Sequence, residues 1–215
     1  MDKSLFPGLR QDSKAWRYFR HPPILLTRRL ELRPLKMADA ESIYLWSRDP
    51  DVARYVLWEP HRSIIESREY IRYIRGLYRR HLPSSWGITV PGADSIGVIG
   101  TIGIMGWNPE YRTCEIGYSL SRACWGRGIM TEAASRMIHF LFEDLDVYRI
   151  EAQHDVRNPA SGRVMEKCGM QKEGVLRGRV FNKGEHIDVA MWAIVRPDWR
   201  AAQSGADRRT LTLPH

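Results

Sequence analysis

The chain has 215 residues, 43% hydrophobic and 10% aromatic, with 33 Lys+Arg against 25 Asp+Glu and a formal charge of +8. That length supports one medium domain with a sizeable core, and the apolar content excludes a disordered chain. Cys114, Cys124 and Cys168 form no Cys-x-x-Cys pair and the seven histidines show no metal-ligand spacing, so neither a disulfide framework nor a metal centre is expected.

The positive charge is unevenly placed. Residues 1–29 hold seven bases and two acids and residues 196–215 hold four arginines and two aspartates, so the stretch between them is nearly neutral. Residues 1–23, with Trp16 and the run Tyr18-Phe19-Arg20-His21 before Pro22-Pro23, read as a basic aromatic arm packed on or flapping from the domain. Residues 200–215 read as a tail, and residues 24–199 as the domain itself. No apolar leader opens the chain, and the longest apolar uncharged run, Ser95 to Pro109, is too short to span a bilayer. A cytoplasmic, non-membrane protein is expected, as monomer or homodimer.

After the proline pair, Ile24 to Leu35 alternates in the manner of one half-buried strand. Asp39 to Arg48 has helical spacing and stops at Asp49-Pro50; a loop with Trp58-Glu59-Pro60 follows. Ser63 is placed to cap a helix running to about Arg80, whose Ile64, Ile71, Ile74 and Tyr78 share a face. On a flank of that helix lie Arg68, Arg72, Arg75 and Arg79, either a solvated face or a surface for an anion. Ser85 to Val90, Ile96 to Trp107 and Thr113 to Leu120 read as a three-strand antiparallel meander. A helix from about Met130 to Glu143, a strand from Val147 to Ala152, a helix from Asn158 to Cys168 and a final hairpin over Gln171 to Phe181 and His186 to Val195 complete the order.

Between the meander and the first of those later helices stands Cys124-Trp125-Gly126-Arg127-Gly128-Ile129-Met130-Thr131. Two glycines let successive backbone N–H groups converge, and a helix start adds free N–H groups and the positive end of its dipole, so the junction suits phosphate. No Gly-Lys-Ser/Thr follows, so it is not a nucleotide P-loop; position 131 is Thr where a dinucleotide fingerprint needs a third glycine; and Gly117-Tyr118-Ser119-Leu120-Ser121 lacks the second glycine of a serine-hydrolase elbow.

Glu115-Ile116-Gly117-Tyr118, Trp125-Gly126-Arg127-Gly128 with Glu132-Ala133, Asn158-Pro159-Ala160-Ser161 and Glu166-Lys167-Cys168-Gly169-Met170 together resemble the GNAT N-acetyltransferases, over about Leu26 to Trp199. The ribosomal-protein N-terminal alanine and serine acetyltransferases are the subgroup they most resemble. The resemblance implies an α/β (α+β) fold: a mixed, mostly antiparallel sheet of about seven strands, helices on both faces, and a V-shaped splay between the two central strands. It implies acetyl-CoA as co-substrate. The pantetheine arm would lie along Tyr118, Ser119 and Leu120, and the pyrophosphate on Gly126, Arg127, Gly128, Ile129, Met130 and Thr131.

Acetyl transfer to an amine needs a base, stabilisation at the thioester oxygen and a proton for the leaving thiolate. By the same resemblance Glu115 is the base, acting through water, although a charged strand-edge residue reads the same from sequence. Asn158 and Ser161 would hold the pantetheine or an ordered water and support the sulfur. Asn158 before Pro159 is equally a helix cap. No tyrosine stands where many GNAT enzymes keep their thiolate acid, and Arg127, Arg163 and Lys167 could meet phosphates or water. Cys124 and Cys168 read as small apolar residues, not nucleophiles. Trp58 and Glu59 would line one wall of the acceptor cleft, with the helix that follows, and Phe181 to Gly184 the other. The implied acceptor is a protein N-terminus, with ribosome or RNA contact through the basic arm. The alternatives are a small amine such as a polyamine, amino acid or aminoglycoside, and a non-catalytic module that binds acetyl-CoA or RNA.

Overall fold

The computed structural model describes residues 14–210, and in it the alternating segment after the proline pair is two short strands instead of one, β1 (Leu25–Leu26) and β2 (Glu31–Pro34). Thr27 causes the break. Its hydroxyl oxygen accepts from the Leu30 N–H at 2.8 Å and the Arg29 N–H at 3.3 Å, a side-chain turn that folds Leu25 back against Leu32.

Of the remaining elements, α1 (Lys14–Arg20), α3 (Pro50–Ala53) and α7 (Arg196–Thr210) are helices where an arm, a turn and the start of a tail were expected; the others follow the expected order: α2 (Ala40–Ser47), α4 (Ile64–Arg79), β3 (Ser85–Thr89), β4 (Gly100–Asn108), β5 (Thr113–Leu120), α5 (Ile129–Glu143), β6 (Arg149–Asp155), α6 (Pro159–Lys167), β7 (Gln171–Asn182) and β8 (Glu185–Val195). Ser63 precedes α4 in extended conformation, but its hydroxyl makes no cap bond. The Glu66 carboxylate reaches back instead and accepts from the Arg62 N–H at 2.9 Å. Asn158 does cap α6, accepting from the Ser161 N–H.

The strands form one eight-stranded sheet in the order β1-β2-β3-β4-β5-β6-β8-β7, with β5 and β6 parallel and the other neighbouring pairs antiparallel. The division of the first segment accounts for the extra strand. Helices cover both faces. On one, α5 buries Ala133, Met137, Phe140 and Leu141 against Trp86, Ile102, Ile116 and Ile150. On the other, α2 and α4 pack Ile43, Trp46, Ile71, Ile74 and Leu77 with Leu35 and Val98. Between Trp86 and Ile88 the chain has Gly87, where a Cβ would stand 2.7 Å from Leu35 and 3.0 Å from Val98.

The terminal segments contribute to the first core. Phe19 of α1 is fully buried and meets Trp107 edge-to-face at 5.3 Å, and the Trp86 indole donates to the Pro23 carbonyl at 2.8 Å. Trp199 of α7 packs on Phe142. Residues 1–13 of the expected arm and 211–215 of the expected tail lie outside the described residues.

The feature that positions the site is a gap. β5 and β6 pair only at Thr113↔Arg149, Cys114↔Ile150 and Glu115↔Glu151. Beyond that rung β5 keeps β4 and β6 keeps β8. At the same level β4 carries an irregularity between Ile104 and Gly106, and Met105 packs where a Gly117 Cβ would clash at 2.8 Å. A bulge bends and twists its strand, which leads β5 away from β6 at Glu115.

Candidate active site

A cleft of about 680 Å³ occupies the gap. Tyr118, Ser119 and Leu120 from β5, Gly126, Gly128, Ile129, Met130 and Thr131 from the glycine junction, and Asn158, Ser161 and Lys167 from the start and face of α6 all line it. These sequence-selected residues are thus brought together. Arg127 is the exception: its side chain does not line the cleft, and its carbonyl accepts from Arg29 Nη1 at 3.1 Å.

The loop is entered through a 3-10 turn, Arg122–Cys124, and not directly from a strand. Gly126 and Gly128 have φ of +73° and +69°, the left-handed region that glycine alone enters without strain. The first bond of α5 runs from the Glu132 N–H to the Gly128 carbonyl, so the preceding N–H groups have no helical partner. The Met130 side chain belongs to the core, leaving its backbone to face the cleft.

Arg29 and Thr27, about a hundred positions away, pin this loop. Thr27 Oγ1 donates to Glu132 Oε1 at 2.6 Å and Arg29 Nε to Glu132 Oε2 at 2.6 Å. Burial works against the Glu132 charge, but these bonds outweigh it and hold the carboxyl below its usual range. Arg54, Arg122, Arg163 and Lys167 add cationic side chains to the lining.

On the cleft side of β5, the Tyr118 hydroxyl donates to the Ser161 carbonyl at 3.1 Å and accepts from Ser161 Oγ at 3.1 Å. Burial pushes the Tyr118 hydroxyl far up, so it stays protonated. Sequence reasoning selected Tyr118 for its backbone alone. Its hydroxyl is a second proton-bearing group beside Ser161, and the signal for it was the parity that places residue 118 with Cys114 and Ile116.

Glu115 lies on the other face. Gln153 Nε2 donates to its Oε1 at 2.9 Å, and Glu151 stands beside it across the last rung. Burial raises the Glu115 pKa; the Gln153 hydrogen bond opposes that, the Glu151 charge adds to it and Arg179 opposes it. Glu151 is in turn held by Arg149, which also grips Glu173.

The residues expected at the acceptor lie away from this cleft. Trp58 packs against Trp46 and His61 in the second core, Glu59 is exposed, and Phe181 is exposed against His186; none of the three lines the cleft. α4 does not line it either. Asp51, Val52, Arg54, Tyr55 and Val56 form one wall of the cleft, where α3 is anchored to the rim by ion pairs of Arg122 with Asp49 and Asp51. The β7–β8 tip reaches the wall through Lys183, which donates to the Ala53 carbonyl at 2.5 Å, and Asn182, which donates to the Val56 carbonyl at 3.2 Å.

Cys114 is buried and Cys168 half-buried with thiols pushed up by burial, while Cys124 is half-buried on the cleft wall. Among the described residues no three His, Cys, Asp or Glu side chains gather as metal ligands, and no helix is long and apolar enough to cross a membrane.

A family model described as an acetyltransferase (GNAT) domain matches residues 29–171. The chain is 35% identical over 175 residues to an uncharacterized N-acetyltransferase of Bacillus subtilis, YoaA, covering 81% of this chain and 98% of that one. It is 29% identical over 90 residues to the [ribosomal protein uS5]-alanine N-acetyltransferase of Escherichia coli, covering 42% of this chain and 46% of that one. The structure of RimL, a ribosomal L7/L12 alpha-N-protein acetyltransferase in complex with coenzyme A, superimposes with a TM-score of 0.71 at 21% identity over 80% of this chain and 98% of that one. The cleft, its glycine loop and the matched sequence agree, and the chain belongs to the GNAT family of acetyl-CoA-dependent acetyltransferases.

Proposed function

We propose that the chain acetylates the N-terminal amine of a protein, with Glu115 as a base acting through water. One observation carries this reading: Glu115 and the Tyr118–Ser161 pair sit on opposite faces of β5, at the gap where it leaves β6. Three residues of strand separate them by about 10 Å. An amine entering from the Glu115 face thus meets a thioester lying on the other, and the backbone edges left free by the splay can pair with an extended chain terminus.

The residues present fit coenzyme A. The glycine loop offers converging N–H groups, Gly126 has open space where a Cβ would stand, and Arg163 and Lys167 lie on the wall where phosphates would run. When bound, acetyl-CoA supplies the activated acetyl group. Glu115, by way of a water, takes the proton that the ammonium must lose, while Glu151 adds negative potential for the incoming cation. Nitrogen then bonds to the acetyl carbon as the carbon–sulfur bond breaks, and the proton still to leave nitrogen passes to the departing thiolate. The Ser161 and Tyr118 hydroxyls are the donors that support the departing sulfur, and Asn158 fixes Ser161 by capping α6.

Replacing Tyr118 by Phe removes both hydrogen bonds of its hydroxyl to Ser161 and one donor to the departing sulfur; loss of that donor, about 0.5–1.5 kcal/mol, should lower kcat by about two- to tenfold with coenzyme A affinity nearly unchanged. Steady-state kinetics beside a coenzyme A titration reads both. Similarity to the ribosomal-protein enzymes supports a peptide acceptor. Thiol release with acetyl-CoA and peptides starting in Ala or Ser, set against polyamines, amino acids and aminoglycosides, tests it. Faster turnover of the small amines would replace the acceptor assigned here, and no turnover at all would remove the catalytic reading.

A further inference from the structure

Beyond acetyl transfer, we propose that the surface formed by α4 and α1 is a docking face for the phosphate backbone of RNA. Arg68, Arg72, Arg75 and Arg79 are all exposed and fall within about 60° of arc and about 16 Å of helix, with neighbours about 5–6 Å apart. None of them has an ion pair among the described residues. Of the two acids on the same helix, Glu66 is engaged with the Arg62 N–H and Glu69 lies off the arc.

The row does not stand alone. Trp16 of α1 packs edge-on against His81 just past the end of α4, at 4.6 Å. That contact sets α1 beside the end of α4, with Lys14, Arg17 and Arg20 exposed and Arg20 stacked over Trp16 at 5.5 Å. A groove of about 490 Å³ runs between α4 and the segment that follows α1, its rim carrying Arg75 and Arg79 from α4 with Arg33 and Lys36 against the single acid Glu31, over an apolar floor that includes Ile24 and Tyr78. A cationic rim over an apolar floor takes a phosphate and the flat face of a base together.

A lipid surface is the poorer match. The apolar face that α4 would need to insert, Ile71, Ile74 and Leu77, is already buried against α2 and the sheet. The groove lies along β2, more than three strand spacings from the β5–β6 gap, or about 15–19 Å. Bound RNA therefore leaves the cleft open for an acceptor.

The test is retention of the full chain by a short RNA hairpin in filter binding at about 50 and about 200 mM salt, with phosphatidylserine vesicles and polyglutamate as parallel probes. The expected result is hairpin binding that weakens at least tenfold over that range, with little retention by the other two. The combined Arg72→Gln, Arg75→Gln, Arg79→Gln variant should flatten the log–log salt slope by about three while acetylating a free acceptor at the original rate. No hairpin retention at the lower salt, an unchanged slope in the variant, or preferential capture by vesicles or polyglutamate would each overturn the assignment. The wild-type slope counts phosphates without any variant, and the acetylation rate separates loss of docking from loss of the enzyme.

Discussion

Glu115→Gln should reduce kcat/KM by about 10²- to 10⁴-fold, the usual contribution of a positioned base, while coenzyme A continues to raise the melting temperature. The amide keeps the shape and an oxygen for the Gln153 bond but cannot take a proton. Activity of the parent protein should fail as pH drops through a limb above the ordinary carboxylate range, because burial raises Glu115. The variant should lack that limb. Stability moves the other way. The fold favours protonated Glu115, so the stabilisation linked to this group is complete at acid pH and is lost as pH rises through its folded pKa. Glu115→Gln should therefore melt no earlier than the parent at neutral pH, with its advantage disappearing in acid. Pre-steady-state thiol release and a pH series of melting curves check both halves, and a rate within a few-fold of the parent would remove Glu115 from the mechanism.

Gly128→Val should weaken the coenzyme as well as the fold. At φ +69° a side chain pays about 1–2 kcal/mol, and a β-branched one resists that region further. The nearest atom to a Cβ there is Arg29 Nη2 at 3.7 Å, so crowding is not the cause. The loop would relax toward negative φ and turn its N–H groups away from the cleft, weakening coenzyme A at least tenfold. At a ligand concentration a hundred times the parent Kd, the parent gains about 2.7 kcal/mol and a tenfold weaker variant about 1.4 kcal/mol. Melting with and without coenzyme A measures the difference directly. An equal shift for both proteins would show that the left-handed turn is not needed for binding.

Local rules made much of this legible. Thr113 to Leu120 shows alternation bounded by turn signals, and the strand forms over those residues. Asn158-Pro159 announces a helix start, and α6 begins there with Asn158 as its cap. The loop that lines the cleft was readable for the same reason, since a glycine loop opening a helix is a contiguous piece of chain. The failures were non-local. Thr27 looks like any strand residue until its hydroxyl reaches Glu132, about a hundred positions on, and nothing near it in sequence signals that bond. Trp58 is as suited to a core as to a ligand wall, and its packing on Trp46 uses it in the first way. Residues 51–56 line the cleft because ion pairs from Arg122, some seventy positions later, hold α3 at the rim.

The Lys183 bond to α3 and the Asn182 bond to the turn after it have a mechanical consequence. A sheet whose central strands share only three rungs is a hinge, with its pivot at Glu115 and Glu151 and two stiff leaves. The β7–β8 tip is a strut thrown across the open end, from one leaf to the helix riding on the other. Spreading the leaves strains two hydrogen bonds at the far end of the lever, where a small rotation makes the largest displacement. The angle of the V is thus fixed from its mouth as well as from its root.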